Sequence, residues 1–402
     1  MNQSISTILN EEVQRFILQN ENADIQNLLL KQKTVHGVAT ASVVQQIIGR
    51  RKAKVKFPGW YAKAGIIYPP AINLEQSSSE STAIFKVKLL GETIALEKSR
   101  GVDLTGGFGI DTYFLSRESR QMEYIEPKDE LVRIAQHNHM QLGCNNIQYH
   151  CLSAQTYLSR TSEKFDFLYL DPSRRKADKK VYRLTDSEPD VVLLQEDFFK
   201  MTPLVLIKTS PLLDLQQGCR ELKRVSQVIV VAVENECREL LFLLRDTATV
   251  GPIIRAVDLN RLGEIISSFT FTFEEEKNST PFYAPALKYL YEPNVAILKA
   301  GAFKWIAGKF NVKKLAPNTH LYTSEQQQGF PGRTFRIIGF TKLDKTLKKE
   351  FAGGHANIIS RNYPLSVEEI KKKTGLKEGG EGYLICTQTE QEKLVIVAER
   401  IS

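Results

Sequence analysis

Cysteine is scarce in this 402-residue chain, and the five present, Cys144, Cys151, Cys219, Cys237 and Cys386, are scattered without a C-x-x-C pair. That spacing argues against a disulfide-framed scaffold and against a sequence-local zinc site, so no metal is expected and a reducing compartment is. Long apolar runs are missing too. None approaches the ~18 residues that cross a bilayer. Residues 1–30 place Asn10, Glu11, Glu12 and Arg15 among their apolar positions, unlike the basic and then apolar stretches of a signal peptide. The expectation is a cytoplasmic chain with no membrane partner.

Hydrophobic residues make up 42% of the chain and charged residues 25%, the proportions of a soluble globular protein. The length suits two to four units of ~100 to 200 residues each. The net charge of +8 is unevenly held: residues 301–402 carry 17 Lys and Arg against 10 Asp and Glu. A second basic cluster, Arg50, Arg51, Lys52, Lys54, Lys56 and Lys63, is interleaved with Phe57, Trp60 and Tyr61. Cations among aromatics suit a nucleic acid, through phosphate attraction and base stacking. A solvated helix face accounts for a charge run equally well.

Helical spacing runs through residues 10–20 and 23–32, and Ser42 is placed to cap a third helix holding Val43, Val44, Ile47 and Ile48. Phe57-Pro58-Gly59-Trp60 and Tyr68-Pro69-Pro70 mark loops. The polar run from Glu75 to Thr82 opens a helix through Ile84, Phe85 and Leu89, with Ser77 and Glu80 spaced as a capping box. From 101 to about 250 strands and helices alternate, which predicts a mostly parallel sheet with helices on both faces.

The stretch Val102-Asp103-Leu104-Thr105-Gly106-Gly107-Phe108-Gly109-Ile110-Asp111 is a strand, a glycine turn and a helix start. Glycines let the backbone take positive φ and come close to a ligand, and open α/β sheets bind ligands at the carboxyl ends of their strands. The next strand ends at Glu126, 23 residues after Asp103, where an acid can accept hydrogen bonds from both hydroxyls of a ribose. A third strand, Ile147–His150, leads to Cys151-Leu152-Ser153. The fourth, Phe165–Leu170, delivers Asp171-Pro172-Ser173-Arg174-Arg175. Arg174 and Arg175 are placed to clamp a phosphate or to pair with Asp178 and Asp186. The fifth strand, Leu204–Ile207, delivers Lys208 and Ser210, candidates for substrate phosphate. The sixth, Val228–Val233, runs into Glu236, Cys237 and Arg238. No histidine lies near Cys237 to serve it as a base, so a buried thiol is the expectation there.

The spacing D-L-x-x-G-x-G resembles motif I of the class I S-adenosylmethionine (SAM) methyltransferases. The resemblance implies SAM as cofactor, with Asp103 near the methionine amino group and Thr105, Gly106, Gly107, Gly109 and Glu126 in the cofactor site. It places Gln76 and Ser79 in a segment closing over the methionine end, and Ser153 where an acid usually reads the adenine amine. Asp171 and Pro172 then line the catalytic edge, where nucleophile meets methyl group. Ser173 and Arg174 stand where exocyclic-amine methyltransferases place a second proline and an aromatic, and no cysteine accompanies the motif as in cytosine C5 enzymes.

Further segments, Glu75–Glu80, Tyr291-Glu292-Pro293, Ala300-Gly301-Ala302 and Leu315–Thr319, resemble a bacterial family of class I methyltransferases with a C-terminal THUMP-like domain. The implied organisation is a helical region at 1–74, a Rossmann-like methyltransferase domain at 75–273, a ferredoxin-like domain at 274–325 and a THUMP-like domain at 326–402. Residues 274–279 are expected to be a polar linker, and Lys371-Lys372-Lys373 to lie on a basic helix begun by Ser366. An RNA substrate, tRNA or rRNA, is the implied partner. A protein or small-molecule acceptor, or a non-catalytic RNA-binding protein retaining the fold, compete with it, and oligomeric state is left open.

Overall fold

The computed structural model describes residues 5–174, 183–247 and 251–401, with only the backbone of Arg174 included. Two compact units result. The first comprises Met1–Val228, Arg238–Val250 and Leu259–Glu264, and the second Ile229–Cys237, Gly251–Asp258 and Ile265–Ser402.

In the first unit, α1 (Thr40–Lys56), α2 (Ala71–Gln76) and α3 (Glu80–Gly91) precede β1 (Arg100–Asp103), α4 (Ile110–Glu118), β2 (Gln121–Ile125), α5 (Asp129–Gln141), β3 (Ile147–His150), α6 (Ala154–Arg160), β4 (Phe167–Leu170), β5 (Leu204–Thr209) and β6 (Glu236–Arg245). The strands lie in the order β6-β5-β4-β1-β2-β3. All are parallel except β6, which runs antiparallel to β5. Every residue of β4 and β5 is buried, as expected of parallel strands covered on both faces. The chain leaves β1 in one direction for β2 and β3 and returns on the other side for β4 and β5. Neighbouring loops therefore diverge between β1 and β4, the switch point at which such sheets hold ligands.

The N-terminal helices share a core with the glycine turn and with α4 and α5. Val13, Ile17, Leu28, Val43 and Ile47 pack in one cluster with Trp60, Phe108, Ile110 and Tyr113. Phe108, in the glycine turn, has its ring 5.0 Å from Trp60 and 5.8 Å from Phe57. The aromatics of the N-terminal basic cluster are thus core: Phe57 is 0% and Trp60 1% exposed. Several of its cations are engaged as well, Arg50 with Glu21 and over the Tyr61 ring, Lys52 with Glu75. This corrects the stacking surface expected there.

Three local expectations are also corrected. Phe57–Trp60 is not a loop, because Pro58 starts a helical turn, Pro58–Ala62, and proline suits that position. The helix expected to start at Ser42 begins at Thr40 instead. The Ser77–Glu80 capping box does not form. Ser79 caps α3 by accepting from Thr82 N, Ser77 donates to the Asn73 carbonyl at the end of α2, and Glu80 takes the amides of Gly59 and Trp60.

The second unit contains a seven-stranded sheet built from β7 (Tyr289–Pro293), β8 (Lys313–Ala316), β9 (Thr319–Ser324), β10 (Gly332–Phe340), β11 (His355–Ser360), β12 (Lys377–Gln388) and β13 (Lys393–Arg400), in the order β8-β9-β7-β10-β13-β12-β11. β7 pairs with both β9 and β10, so the segments expected to be ferredoxin-like and THUMP-like form one continuous sheet. Glu292, 3% exposed, binds Arg333 and Arg361 from the later segment. The polar stretch expected as a linker is a helix, Phe273–Asn278, because Thr272 and Glu275 form a capping box. Its Glu276 accepts the amides of Lys304 and Trp305.

Candidate active site

A cavity of about 610 Å³ opens at the switch point. It is bordered by Gln76, Asp103, Thr105, Gly106, Gly107, Gly109, Glu126, Ser153, Asp171, Pro172, Lys208 and Ser210, together with Asn73, Asp111, Glu188 and Arg238. Ser79 is not among these residues; its hydroxyl caps α3. Arg175 lies outside the described residues, as does Asp178, and nothing of the Arg174 side chain is described.

The turn after β1 is shaped by its neighbours. A Cβ on Gly106 would fall 2.2 Å from the Tyr124 ring, and one on Gly109, at φ +89°, 2.6 Å from His139 Nε2. Gly107, at φ +54°, meets only the Thr105 carbonyl, at 3.7 Å, and leaves its backbone open to the cavity. His139 is fully buried, and desolvation takes its pKa down to about 4. The neutral ring donates from Nε2 to the Gly109 carbonyl at 2.9 Å and accepts the Tyr149 hydroxyl at Nδ1. It braces the turn from behind.

Asp103 ends β1 with 1% of its surface exposed. Its Oδ1 accepts from Thr105 N at 2.9 Å, and its Oδ2 from the Thr112 hydroxyl at 2.6 Å. Desolvation nevertheless raises its pKa to about 7. Glu126, at the end of β2, accepts from the amides of Gly107 and Lys128 at 3.1 and 3.0 Å, and burial raises its pKa against the pull of those donors. Ser153 caps α6 by accepting from Thr156 N.

Beyond β4, Asp171 forms an ion pair with Lys208 at the end of β5. Desolvation alone would lower the Lys208 pKa, yet Asp171, Glu239 and Asp111 hold it above the ordinary ammonium value. Ser210 accepts from Leu212 N. Lys56, at the end of α1, donates to the carbonyls of Leu74 and Glu75 at 2.7 and 2.8 Å, tying down the α2 wall of the cavity. Burial, then Lys208 and Arg238, lowers its pKa to about 8.

Sequence reasoning passed over a buried cluster beside the cavity. Lys86, 0% exposed on α3, contacts Asp111 at 3.0 Å and Glu239 at 2.9 Å and donates to Ser78 Oγ at 2.8 Å. The signal was a lysine inside the apolar run Ile84–Leu90. Among the described residues no group of three or more His, Cys, Asp or Glu is placed to hold a metal, and no helix is long and apolar enough to cross a membrane.

A family model described as a ferredoxin-like domain matches residues 289–331, and one described as THUMP domain-like matches 332–400. No curated protein matches the chain. Among solved structures, a protein of Porphyromonas gingivalis W83 provisionally assigned as a methyltransferase is 32% identical, with both chains covered over 100% and a TM-score of 0.87. A Pyrococcus horikoshii protein provisionally assigned as an RNA methyltransferase is 13% identical over 49% of this chain and 99% of its own, TM-score 0.34. An rRNA methylase of Streptococcus thermophilus is 13% identical over 42% and 94%, TM-score 0.30. These last two carry no weight. The first is decisive: the chain belongs to the same methyltransferase family as the Porphyromonas gingivalis protein, with ferredoxin-like and THUMP-like C-terminal domains.

Proposed function

We propose that the chain transfers a methyl group from SAM to RNA, a tRNA or an rRNA, in the cytoplasm. The observation carrying the RNA part is a face of exposed lysines in the C-terminal module. Lys342, Lys345, Lys348 and Lys349 surround the short helix Leu347–Glu350, and Lys372 and Lys373 lie on Val367–Thr374. Both helices cover one core, through Leu347 and Ile370. Such a face suits a phosphate backbone.

The cavity fits the cofactor. Its volume lies in the range of small-molecule sites, roughly 300–1,000 Å³. Gly107 offers open backbone, and Glu126 borders the cavity with a carboxylate suited to ribose hydroxyls. When bound, SAM supplies an electrophilic methyl group on a sulfonium that leaves readily. The protein's part is then chiefly alignment, worth about 7–11 kcal/mol where geometry is tight. In this reading Ser153 receives the adenine amine, and Gln76 closes the methionine end. Asp171, oriented by Lys208, accepts a hydrogen bond from the attacking group, with Pro172 shaping its approach. Lys208, Ser210, Arg174 and Arg175 are proposed as contacts to substrate phosphate.

Mass mapping of modified nucleosides in tRNA and rRNA from a strain lacking the protein tests this. One methylated nucleoside should disappear and return with the wild-type gene but not with Asp171→Asn. An unchanged profile overturns the RNA substrate, as does RNA affinity of the purified chain that ignores salt.

A further inference from the structure

We propose that Asp111, rather than Asp103, is the carboxylate that receives the α-ammonium group of the methionine end of the cofactor, with Lys86 as the positioning residue that holds it. The assignment rests on the SAM reading above and specifies one contact within it.

Asp103 is engaged by its own turn. Both its oxygens face donors of the same segment, the amide and hydroxyl of Thr105 on Oδ1 and the Thr112 hydroxyl on Oδ2. No cation stands against it in any ion pair of the described residues, and it presents 1% of its surface. With its pKa lifted to about 7, it is only partly ionised at neutral pH, which weakens it as partner for an ammonium. Its work is to fix the loop.

Asp111 also has three protein donors, but it differs in its exposure and in being held by a cation. It opens α4 and borders the cavity with its side chain 10% exposed. Three donors converge on it. Ser78, just before α3, donates to Oδ2 at 2.6 Å, and Tyr169 of β4 donates to the same oxygen at 2.8 Å. Lys86 of α3 donates to Oδ1 at 3.0 Å, and Glu239 of β6 grips Lys86 from its far side. A carboxylate oxygen accepts at two lone-pair sites. Oδ2 has both filled, whereas among the described residues Oδ1 has Lys86 alone. The remaining site suits a charge-assisted donor from a ligand.

Charge points the same way. Lys86 serves two carboxylates, Asp111 and Glu239. Burial works against ionisation of Asp111, but Lys86 and Lys208 keep its pKa below the usual carboxylate value.

The test compares S-adenosylhomocysteine (SAH) with its analogue lacking the α-amino group, by calorimetry and by displacement, on the full chain. Wild type should prefer SAH by at least about tenfold. Asp111→Asn should cut that preference to about twofold while leaving affinity for the desamino analogue nearly unchanged, and Asp103→Asn should retain the preference. Tyr169→Phe, which keeps the charge and removes one donor, should reduce it by about two- to fivefold, and it reports if Asp111→Asn does not fold. A preference undiminished in both Asp111→Asn and Tyr169→Phe overturns the assignment, as does one lost only in Asp103→Asn. A wild type that binds both ligands equally overturns it while leaving the cofactor reading intact. A wild type that binds neither ligand overturns both.

Discussion

The backbone amide of Asp171 donates to the hydroxyl of Thr105 at 2.6 Å. This bond ties the glycine turn after β1 to the acidic edge after β4, across the switch point. The two halves of the cavity are thereby held in register. Thr105→Val keeps the shape and removes the acceptor, leaving the amide unsatisfied in a partly buried place. The expected loss is about 1–2 kcal/mol of stability. Methyl transfer should fall more than SAH affinity, because it is the alignment of the two edges that suffers. Equal losses in turnover and in binding would show that the bond serves the cofactor alone.

Lys208 and Asp171 are coupled in stability as well as in position, with side chains 11% and 28% exposed. Lys208→Met strands the carboxylate. Removing one partner of a buried pair costs about 3–5 kcal/mol, and the partial exposure of Asp171 reduces this to about 2 kcal/mol. The double variant Lys208→Met/Asp171→Asn removes both charges and should be more stable than Lys208→Met alone. Urea unfolding of the four chains closes the cycle. Additive losses would mean that the pair contributes nothing as a pair.

Much of the sheet was legible because a parallel core leaves a plain trace. The strand ends at Asp103, Glu126, Asp171 and Lys208 each follow a short apolar run and precede a turn, and all four border one cavity. Long-range partnerships left no such trace. Lys86 and Glu239 are 153 residues apart, and no local period announces their meeting. Ser77 and Glu80 had the spacing of a capping box, but Glu80 was claimed by the amides of Gly59 and Trp60, about twenty residues back along the chain. Trp60 beside Lys54 and Lys56 had the composition of a stacking surface. It is core because Phe108 of the glycine turn needs aromatic neighbours.

In the second unit Glu292 joins the two domain-sized segments, accepting from Arg333 Nε at 2.7 Å and from Arg361 Nε at 2.6 Å. Glu292→Gln should lower the stability of this unit by about 1–3 kcal/mol, since a charge-assisted pair of contacts is lost at a buried position. Arg361→Ala should cost less, about 0–1 kcal/mol, because its side chain is 47% exposed. Chemical unfolding followed by hydrogen exchange at β7 and β10 would separate the two. An equal loss for both variants would contradict a keystone role for Glu292.

Asp103 makes the apo protein less stable as pH rises. Its pKa is raised by burial from 3.8 to about 7. Below the lower value both folded and unfolded chains hold the proton, and no cost arises. Between the two values the folded chain keeps a proton that the unfolded chain has released, so stability falls with rising pH. Above the upper value the full cost stands, about 4 kcal/mol for such a shift. Asp103→Asn has no proton to lose. Between about pH 5 and about pH 8 the wild type should therefore lose about 3 kcal/mol relative to Asp103→Asn in urea unfolding. The comparison cancels the histidines and other groups common to both chains. Parallel stability curves for the two proteins would mean that Asp103 is already ionised in the folded state at the lower pH, and that the turn holds it as a charge rather than as an acid.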